Sequence, residues 1–387
     1  MNGDAFRASH PSVEHLRSTA RRRMPSFAFE YLEGGCHSEI NLARNTRELR
    51  EVQLRPRYVG DYGGAQLATE LFGRTWSAPF GVAPIGLQGL MWPRATEYLA
   101  RAAHGANTPF ILSTVATADI ETVAEITEGK AWFQLYHPAE NDLRDNLLAR
   151  LEAAGLDTLV LLADTPTFGY RPKEIRNGLS IPPRMSVKNV LQMCTCPAWS
   201  AGQLTAGVPT FATMKPYLPP GLSLKHLGPF MNRTFSGRLT ESRIEALRER
   251  WKGRLVVKGI VTVEDAERCL ELGADGLIVS NHGGRQHDTG ESTVASLIRL
   301  AQSVGHRTTL MMDSGVRTGA DVAQALAAGA HFVFLGRTFM YGVGALGAAG
   351  GPHTMAMLER QLRQVMEQVG CPHPHTLPEH RIAPAPV

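Results

Sequence analysis

The chain has 387 residues, 43% hydrophobic and 20% charged, with a formal net charge of +4. That length suffices for one large α/β barrel or two ordinary domains, and so small a positive excess argues against nucleic acid as a partner. No uncharged apolar run reaches the about 18 residues of a spanning helix, and residues 1–24 carry Arg21, Arg22 and Arg23 without the apolar core of a secretory signal, so a cytoplasmic location is expected. The five cysteines, Cys36, Cys194, Cys196, Cys269 and Cys371, are odd in number and form no pair of C-x-x-C units, which favours free thiols over disulfides or a metal site.

Residues 1–77 read as a helical segment ahead of the main domain, placed to cap a barrel floor or to lend a residue to a site. Eight short apolar runs follow, at 79–84, 109–113, 131–136, 158–163, 255–258, 276–280, 308–313 and 331–335. Helical patterns separate them at 94–105, 120–129, 143–155, 241–251, 263–273, 294–305 and 319–329, and a last one spans 353–370. Several end in glycine, and Thr262 and Asp321 stand near helix starts as a cap and a first-turn anion. Eightfold alternation of this kind predicts an α/β fold of the (β/α)8 TIM-barrel type over 78–370, because each parallel strand needs a crossover helix. Two stacked doubly wound domains would need two cores and leave the regular count unexplained. Residues 371–387 form a tail.

In such a barrel the C-terminal tips of the strands converge on one mouth. They carry Pro84 and Gly86, Ser113, Gln134 and Tyr136, Asp164, Lys258, then Ser280, His282 and Arg285, then Asp313, Gly315 and Arg317, and finally Gly336 and Arg337. Ser280-Asn281-His282-Gly283-Gly284-Arg285-Gln286 supplies a base that titrates near neutrality, an anion clamp and a backbone open to a flat ligand. Glycines and arginines after the seventh and eighth strands fit a phosphate site. Lys258 on a buried strand requires an anionic partner, which a flavin would supply, and Gln134 suits a flavin edge.

The interval between the fourth and fifth strands is far longer than the others, so 172–238 is an insertion, read as flexible or membrane-facing. From residue 175 to 240 there is no Asp or Glu, against seven cations, Arg176, Arg184, Lys188, Lys215, Lys225, Arg233 and Arg238, interleaved with Trp199, Phe211, Tyr217, Leu218 and Phe230. Cations among aromatics favour peripheral contact with an anionic membrane surface, and a cationic active-site lid is the alternative.

At the heptapeptide, and through Tyr31-Leu32-Glu33-Gly34-Gly35, Trp92-Pro93, Trp132-Phe133-Gln134-Leu135-Tyr136 and Gly169-Tyr170-Arg171, the chain resembles the FMN-dependent 2-hydroxy acid oxidase and dehydrogenase family. Within that family it looks most like the (S)-mandelate and membrane L-lactate dehydrogenases, over residues 25–370. The resemblance implies oxidation of an (S)-2-hydroxy acid to the 2-oxo acid with FMN as cofactor and quinone or O2 as acceptor, and the hydrophobic outer helices of an exposed barrel suggest a homotetramer. His282 would be the base, by either a hydride or a carbanion route, with Asp164 beside its imidazolium. Arg171 and Arg285 would hold the substrate carboxylate with Tyr31 and Tyr136, and Lys258 would balance the reduced flavin. Pro84, Gly86, Ser113, Gln134 and Ser280 would line the ring, while Asp313, Gly315, Arg317, Gly336 and Arg337 would hold ribityl and phosphate. Leu162 departs from the family's threonine and forfeits a flavin hydrogen bond, and His287 stands in place of a leucine near the site. Val115 in place of a tryptophan, with Phe168 nearby, predicts room for a larger, aryl substituent.

Overall fold

Each barrel strand is short and buried on both faces, so its apolar residues run without a break, yet the side chains still alternate in direction. The computed structural model describes residues 6–179, 186–219, 230, 232–235 and 237–383. An antiparallel pair, β1 (Thr69–Leu71) and β2 (Arg74–Trp76), precedes eight parallel strands: β3 (Phe80–Val82), β4 (Ile111–Ser113), β5 (Trp132–Leu135), β6 (Thr158–Leu162), β7 (Arg254–Ile260), β8 (Gly276–Val279), β9 (Thr309–Met312) and β10 (Phe332–Leu335). They pair in the order β3-β10-β9-β8-β7-β6-β5-β4, and a parallel bridge from Val82 to Phe110 closes the ring. The expected (β/α)8 barrel is therefore present, with each strand run where the sequence placed it.

Alternation sorts the strand residues into two cores. Leu112, Phe133, Leu159, Val257, Leu277, Leu310 and Val333 face outward against the helices. Ala83, Ile111, Trp132, Val160, Val256, Ile278, Met311 and Phe334 fill the barrel interior. Two residues further along the same inward rows stand Ser113, Gln134, Leu162, Lys258, Ser280 and Asp313. The period of two thus builds a polar layer directly above the apolar plug. Leu162 is the one apolar member of these six.

The first 77 residues are not wholly helical. Helices Val13–Arg23, Ser26–Glu33 and Ile40–Leu49 are present, but β1 and β2 form a hairpin turned by Phe72 and Gly73, both at positive φ. Its Leu71, Phe72 and Trp76 join the interior cluster, and the Phe72 ring lies 5.7 Å from that of Trp132. The hairpin plugs the barrel floor. A Cβ on Gly276 would meet Phe72 at 2.7 Å, so strand β8 must open on glycine. At the other end Phe27, Tyr31 and Leu32 of helix Ser26–Glu33 face the mouth, so the segment serves both ends of the barrel.

The helices follow the expected pattern and their caps are explicit. Thr262 accepts from the Asp265 backbone, and Thr318 with Asp321 forms a reciprocal capping box. Among the helices not anticipated is Arg337–Leu346, directly after β10, and the final helix starts at Gly350. The glycines at 342, 344, 347, 350 and 351 dilute the helical pattern there. Packing restores it, since Gly342 and Gly350 touch backbone to backbone. The described part of the insertion is mainly helical, at Pro172–Arg176, Val187–Cys194, Pro197–Ala206 and Ala212–Tyr217. Arg184 and Lys225 lie outside the described residues. Among the described residues no helix is long and apolar enough to cross a membrane.

Candidate active site

The polar layer holds buried charge. Lys258 is 3% exposed, and its Nζ donates to Ser280 Oγ at 2.7 Å and pairs with Asp313 Oδ2 at 3.1 Å. Burial alone would pull the ammonium down, but Asp313 and Asp164 outweigh it and hold the Lys258 pKa above the ordinary lysine value. The protein therefore supplies the counter-charge that the sequence had left to a flavin. Ser280 is fully buried behind the mouth, accepting from Lys258 and from the His282 backbone N–H.

His282 follows β8 in the left-handed region, at φ 58°. Few non-glycine residues adopt that conformation, and here it is held by the bond from its N–H to Ser280 Oγ at 3.1 Å. Nδ1 meets Asp164 Oδ1 at 2.9 Å. A carboxylate only accepts, so Nδ1 carries the proton and Nε2 is left with its lone pair. Burial pushes the His282 pKa below the usual histidine value against the opposing pull of Asp164. Burial acts the other way on Asp164, raising it, but His282 and Lys258 bring its pKa below the usual carboxylate value. The pair is thus poised as neutral base and ionised partner at neutral pH.

Two guanidinium groups meet beside it. Arg285 donates through Nη1 to the carbonyls of Tyr31 and Gly34, both at 2.8 Å, and lies over the Tyr31 ring at 5.0 Å. Arg171 donates to Arg285 O at 3.2 Å and to Gln286 Oε1 at 2.7 Å. A Cβ on Gly169 would lie 2.2 Å from Arg285 O, so glycine is what lets the two loops touch. Burial and the neighbouring Arg171 lower the Arg285 pKa, whereas at Arg171 burial is outweighed by Glu174 together with Tyr31 and Tyr136, and the pKa is raised. Burial also raises the phenol pKa of both Tyr31 and Tyr136, leaving them as neutral hydrogen-bonding groups.

At the loops after β9 and β10 Gly315, at φ 84°, presses against Asn45, where a Cβ would lie 2.7 Å from backbone. Gly336 begins helix Arg337–Leu346 with no side-chain cap bond, so its first N–H groups are available to an anion. Arg337 donates to the carbonyls of Leu32, Gly283 and Gly34 at 3.0, 3.1 and 3.0 Å. Burial, with Arg317 and Arg285 close by, pushes its pKa down to about 9. An anion placed there would relieve that repulsion.

A cavity of about 1200 Å³ connects these groups. Of the residues singled out from the sequence, Tyr31, Pro84, Gly86, Ser113, Val115, Gln134, Tyr136, Leu162, Phe168, Arg171, Lys258, His282, Arg285, Asp313, Gly315, Arg317, Gly336 and Arg337 line it. Asp164 and Ser280 stand behind that lining. His287 is exposed, bonded to Thr289 at 3.3 Å, and does not reach the cavity, which corrects the expectation that it stands near the site. Sequence reasoning missed Glu174, whose Oε1 contacts both Arg285 and Arg171. Its signal was present: it stands three residues after Arg171, just before the acid-free stretch. Also missed was the roof, where Trp199 Nε1 is anchored on the Met91 carbonyl at 3.1 Å and Val190, Met193 and Phe211 face inward.

The chain matches the model of the FMN-dependent dehydrogenases over residues 20–384. It belongs to that family. An L-lactate dehydrogenase of Xanthomonas euvesicatoria pv. vesicatoria is 38% identical over 360 residues, 93% of this chain and 92% of the relative. Among solved structures, the monotopic membrane protein (S)-mandelate dehydrogenase superposes with a TM-score of 0.91 at 34% identity, covering 96% of this chain and 99% of that one. A mandelate oxidase bound to 3,3-difluoro-2-hydroxy-3-phenylpropionic acid superposes with a TM-score of 0.80 at 29% identity, covering 96% and 98%. The protein is an FMN-dependent 2-hydroxy acid dehydrogenase or oxidase.

The residues present fit the cofactor. Gln134 Oε1 accepts from Ser113 at 3.0 Å, but its Nε2, buried, has no partner among the described residues. A buried donor left unpaired is costly, and an acceptor on a ring edge would satisfy it. Gly86 lets the loop after β3 pack closely on Val115, where a Cβ would lie 2.8 Å away, and both residues line the cavity. Replacing Gln134 by Leu removes one neutral bond worth about 0.5–1.5 kcal/mol, so fluorescence titration of the apoprotein should show FMN affinity reduced about two- to tenfold. An unchanged affinity would place Gln134 outside the cofactor site.

Proposed function

We propose that the protein oxidises the (S)-enantiomer of a 2-hydroxy acid with a bulky or aryl substituent, using His282 as base and Arg171 with Arg285 as the carboxylate site. The observation that carries this reading is the convergence in one cavity of a tautomer-fixed imidazole and two guanidinium groups. FMN, when bound, supplies the two-electron acceptor. Pro84, Gly86, Ser113 and Gln134 would line its ring beside Lys258, and Gly315, Arg317, Gly336 and Arg337 would hold its phosphate.

The chain's own groups account for the rest. The carboxylate of the substrate would bond to Arg285 and Arg171, fixing the orientation of the α-carbon. Tyr31 and Tyr136, neutral donors, would bond to its carboxylate or hydroxyl. His282 Nε2 would accept the proton that leaves the substrate, and Asp164 would stabilise the imidazolium so formed. The side-chain wall favours size over glycolate or lactate, because Val115 is small and Phe168, 39% exposed at the rim, offers an aromatic face. The mandelate-directed structural neighbours support the same substrate class.

The proposed acceptor is a quinone reached at a membrane surface. Exposed apolar side chains of the roof, Val187 at 78% and Leu191 at 63%, with Leu204 at 87% and Val208 at 75% where the roof borders the cavity, support peripheral docking through the insertion, as does the monotopic neighbour. An oxidase neighbour favours O2 as the second reading, and oxygen uptake with substrate decides between them.

Three outcomes follow from this account. Under anaerobic conditions (S)-mandelate should bleach the bound flavin faster than L-lactate or glycolate, and glycolate as the best substrate would refute the bulky-substituent assignment. In Asp164→Asn the imidazole loses the carboxylate that raises its pKa. The acidic limb of the kcat/KM profile should therefore move to lower pH while the plateau falls about a hundredfold or more, and a limb that moves up would contradict the pairing. Wild type should float with anionic liposomes and a Leu191→Ser, Leu204→Ser, Val208→Ser variant should not; equal behaviour would remove the docking proposal.

A further inference from the structure

A carboxylate already sits where the substrate carboxylate is to go. Glu174 lies on the short helix Pro172–Arg176, and its Oε1 accepts from Arg285 Nη2 at 2.6 Å and from Arg171 Nη1 at 3.3 Å. It is as sheltered as its partners, at 12% side-chain exposure against 14% for Arg285 and 15% for Arg171, so water screens the three charges weakly. The remaining bonds of Arg285 and Arg171 go to neutral acceptors: the carbonyls of Tyr31, Gly34 and Arg285, and the Gln286 amide. Asp164 is engaged by His282 and Asp313 by Lys258. With Arg337, which shares the Gly34 carbonyl with Arg285, given over to the cofactor phosphate, the carboxylate end of the cavity holds two cations and one anion of its own.

Resting on the assignment of Arg171 and Arg285 to the substrate carboxylate, we propose that Glu174 is an exchangeable counter-anion that competes with the substrate for both guanidinium groups and sets the site to one net positive charge. A monocarboxylate then brings the site to neutrality, and a second carboxylate on the same ligand would be in excess. The ligand class is thereby narrowed to 2-hydroxy monocarboxylates. Without Glu174 the site would carry two positive charges, holding the 2-oxo acid product too tightly to release it quickly. Glu174 acts through the arginines and is a positioning residue. Its helix ties back through Lys173 to Glu39 at 2.6 Å and through Arg176 to Glu30 at 2.7 Å, which keeps the carboxylate at hand when a ligand displaces it.

The test uses the FMN-loaded enzyme and follows the perturbation of flavin absorbance as benzoylformate or its uncharged amide is titrated into wild type, Glu174→Gln, Glu174→Asp and Arg285→Met. Glu174→Gln should bind the acid about tenfold more tightly and the amide within about twofold of wild type, with KM and kcat both reduced. Glu174→Asp should stay near wild type on both ligands. Weaker binding of acid and amide alike in Glu174→Gln, with a lowered melting temperature, would make Glu174 a structural brace and overturn the proposal, as would no change in either ligand. Arg285→Met separates the two layers of argument. If it keeps the preference for acid over amide, the carboxylate assignment itself fails. If it abolishes that preference while Glu174→Gln does not increase it, only the role of Glu174 falls.

Discussion

The mouth of this barrel is organised by the need to match a buried ammonium. Strand β7 carries Lys258 into the interior row, above an apolar plug and 3% exposed, where an unpaired charge would be intolerable. Asp313 and Ser280, delivered by β9 and β8, answer it at 3.1 and 2.7 Å. Removing one partner of such a pair typically costs about 3–5 kcal/mol. The two acceptors are therefore fixed in place, and what is attached to them is fixed too. Ser280 holds the His282 backbone in its left-handed conformation, and Ser314, next to Asp313, accepts from the Gly283 N–H at 2.9 Å. The loop that carries His282 is set by the layer beneath it.

From that layer the electrostatics divide the cavity. One end has an imidazole kept neutral by burial and oriented by Asp164, beside two guanidinium groups and their internal carboxylate. The other has an arginine whose pKa is pushed down to about 9 by burial and its cationic neighbours, next to an uncapped helix start. Between them lies the unpartnered donor of Gln134. A ligand with a phosphate at one end and a hydrogen-bonding flat ring at the other satisfies both, and leaves the base and the arginines for a second, smaller anion. The N-terminal segment joins the two ends, since Arg285 and Arg337 both donate to the carbonyl of Gly34.

Much of this was legible because buried parallel strands announce themselves as uninterrupted apolar runs, and because barrel chemistry concentrates at their ends. Every barrel strand, and the mouth residues at the strand tips, were placed from the order of those runs, while Tyr31, Val115, Leu162, Phe168 and Arg171 came from the family resemblance. The failures share a cause: they depend on contacts distant in the chain. The floor hairpin is three residues a side and gains its stability from Trp132 and Gly276, which local pattern cannot report. Helix Arg337–Leu346 is rich in glycine and exists because those glycines let helices touch. Glu174 looked like the last acid before a basic insertion until the fold brought Arg285 to it. His287 looked close because it neighbours Gln286, but the chain turns outward there and its ring is exposed.

The central claim is that His282 Nε2 takes the substrate proton in a site whose cofactor cradle is independent of it. Stopped-flow measurement of anaerobic flavin reduction in FMN-loaded His282→Gln tests it most directly. The account predicts FMN affinity within about twofold of wild type and a reduction rate lower by about 10²–10⁴-fold. Reduction within about tenfold of the wild-type rate, with FMN fully bound, would contradict it.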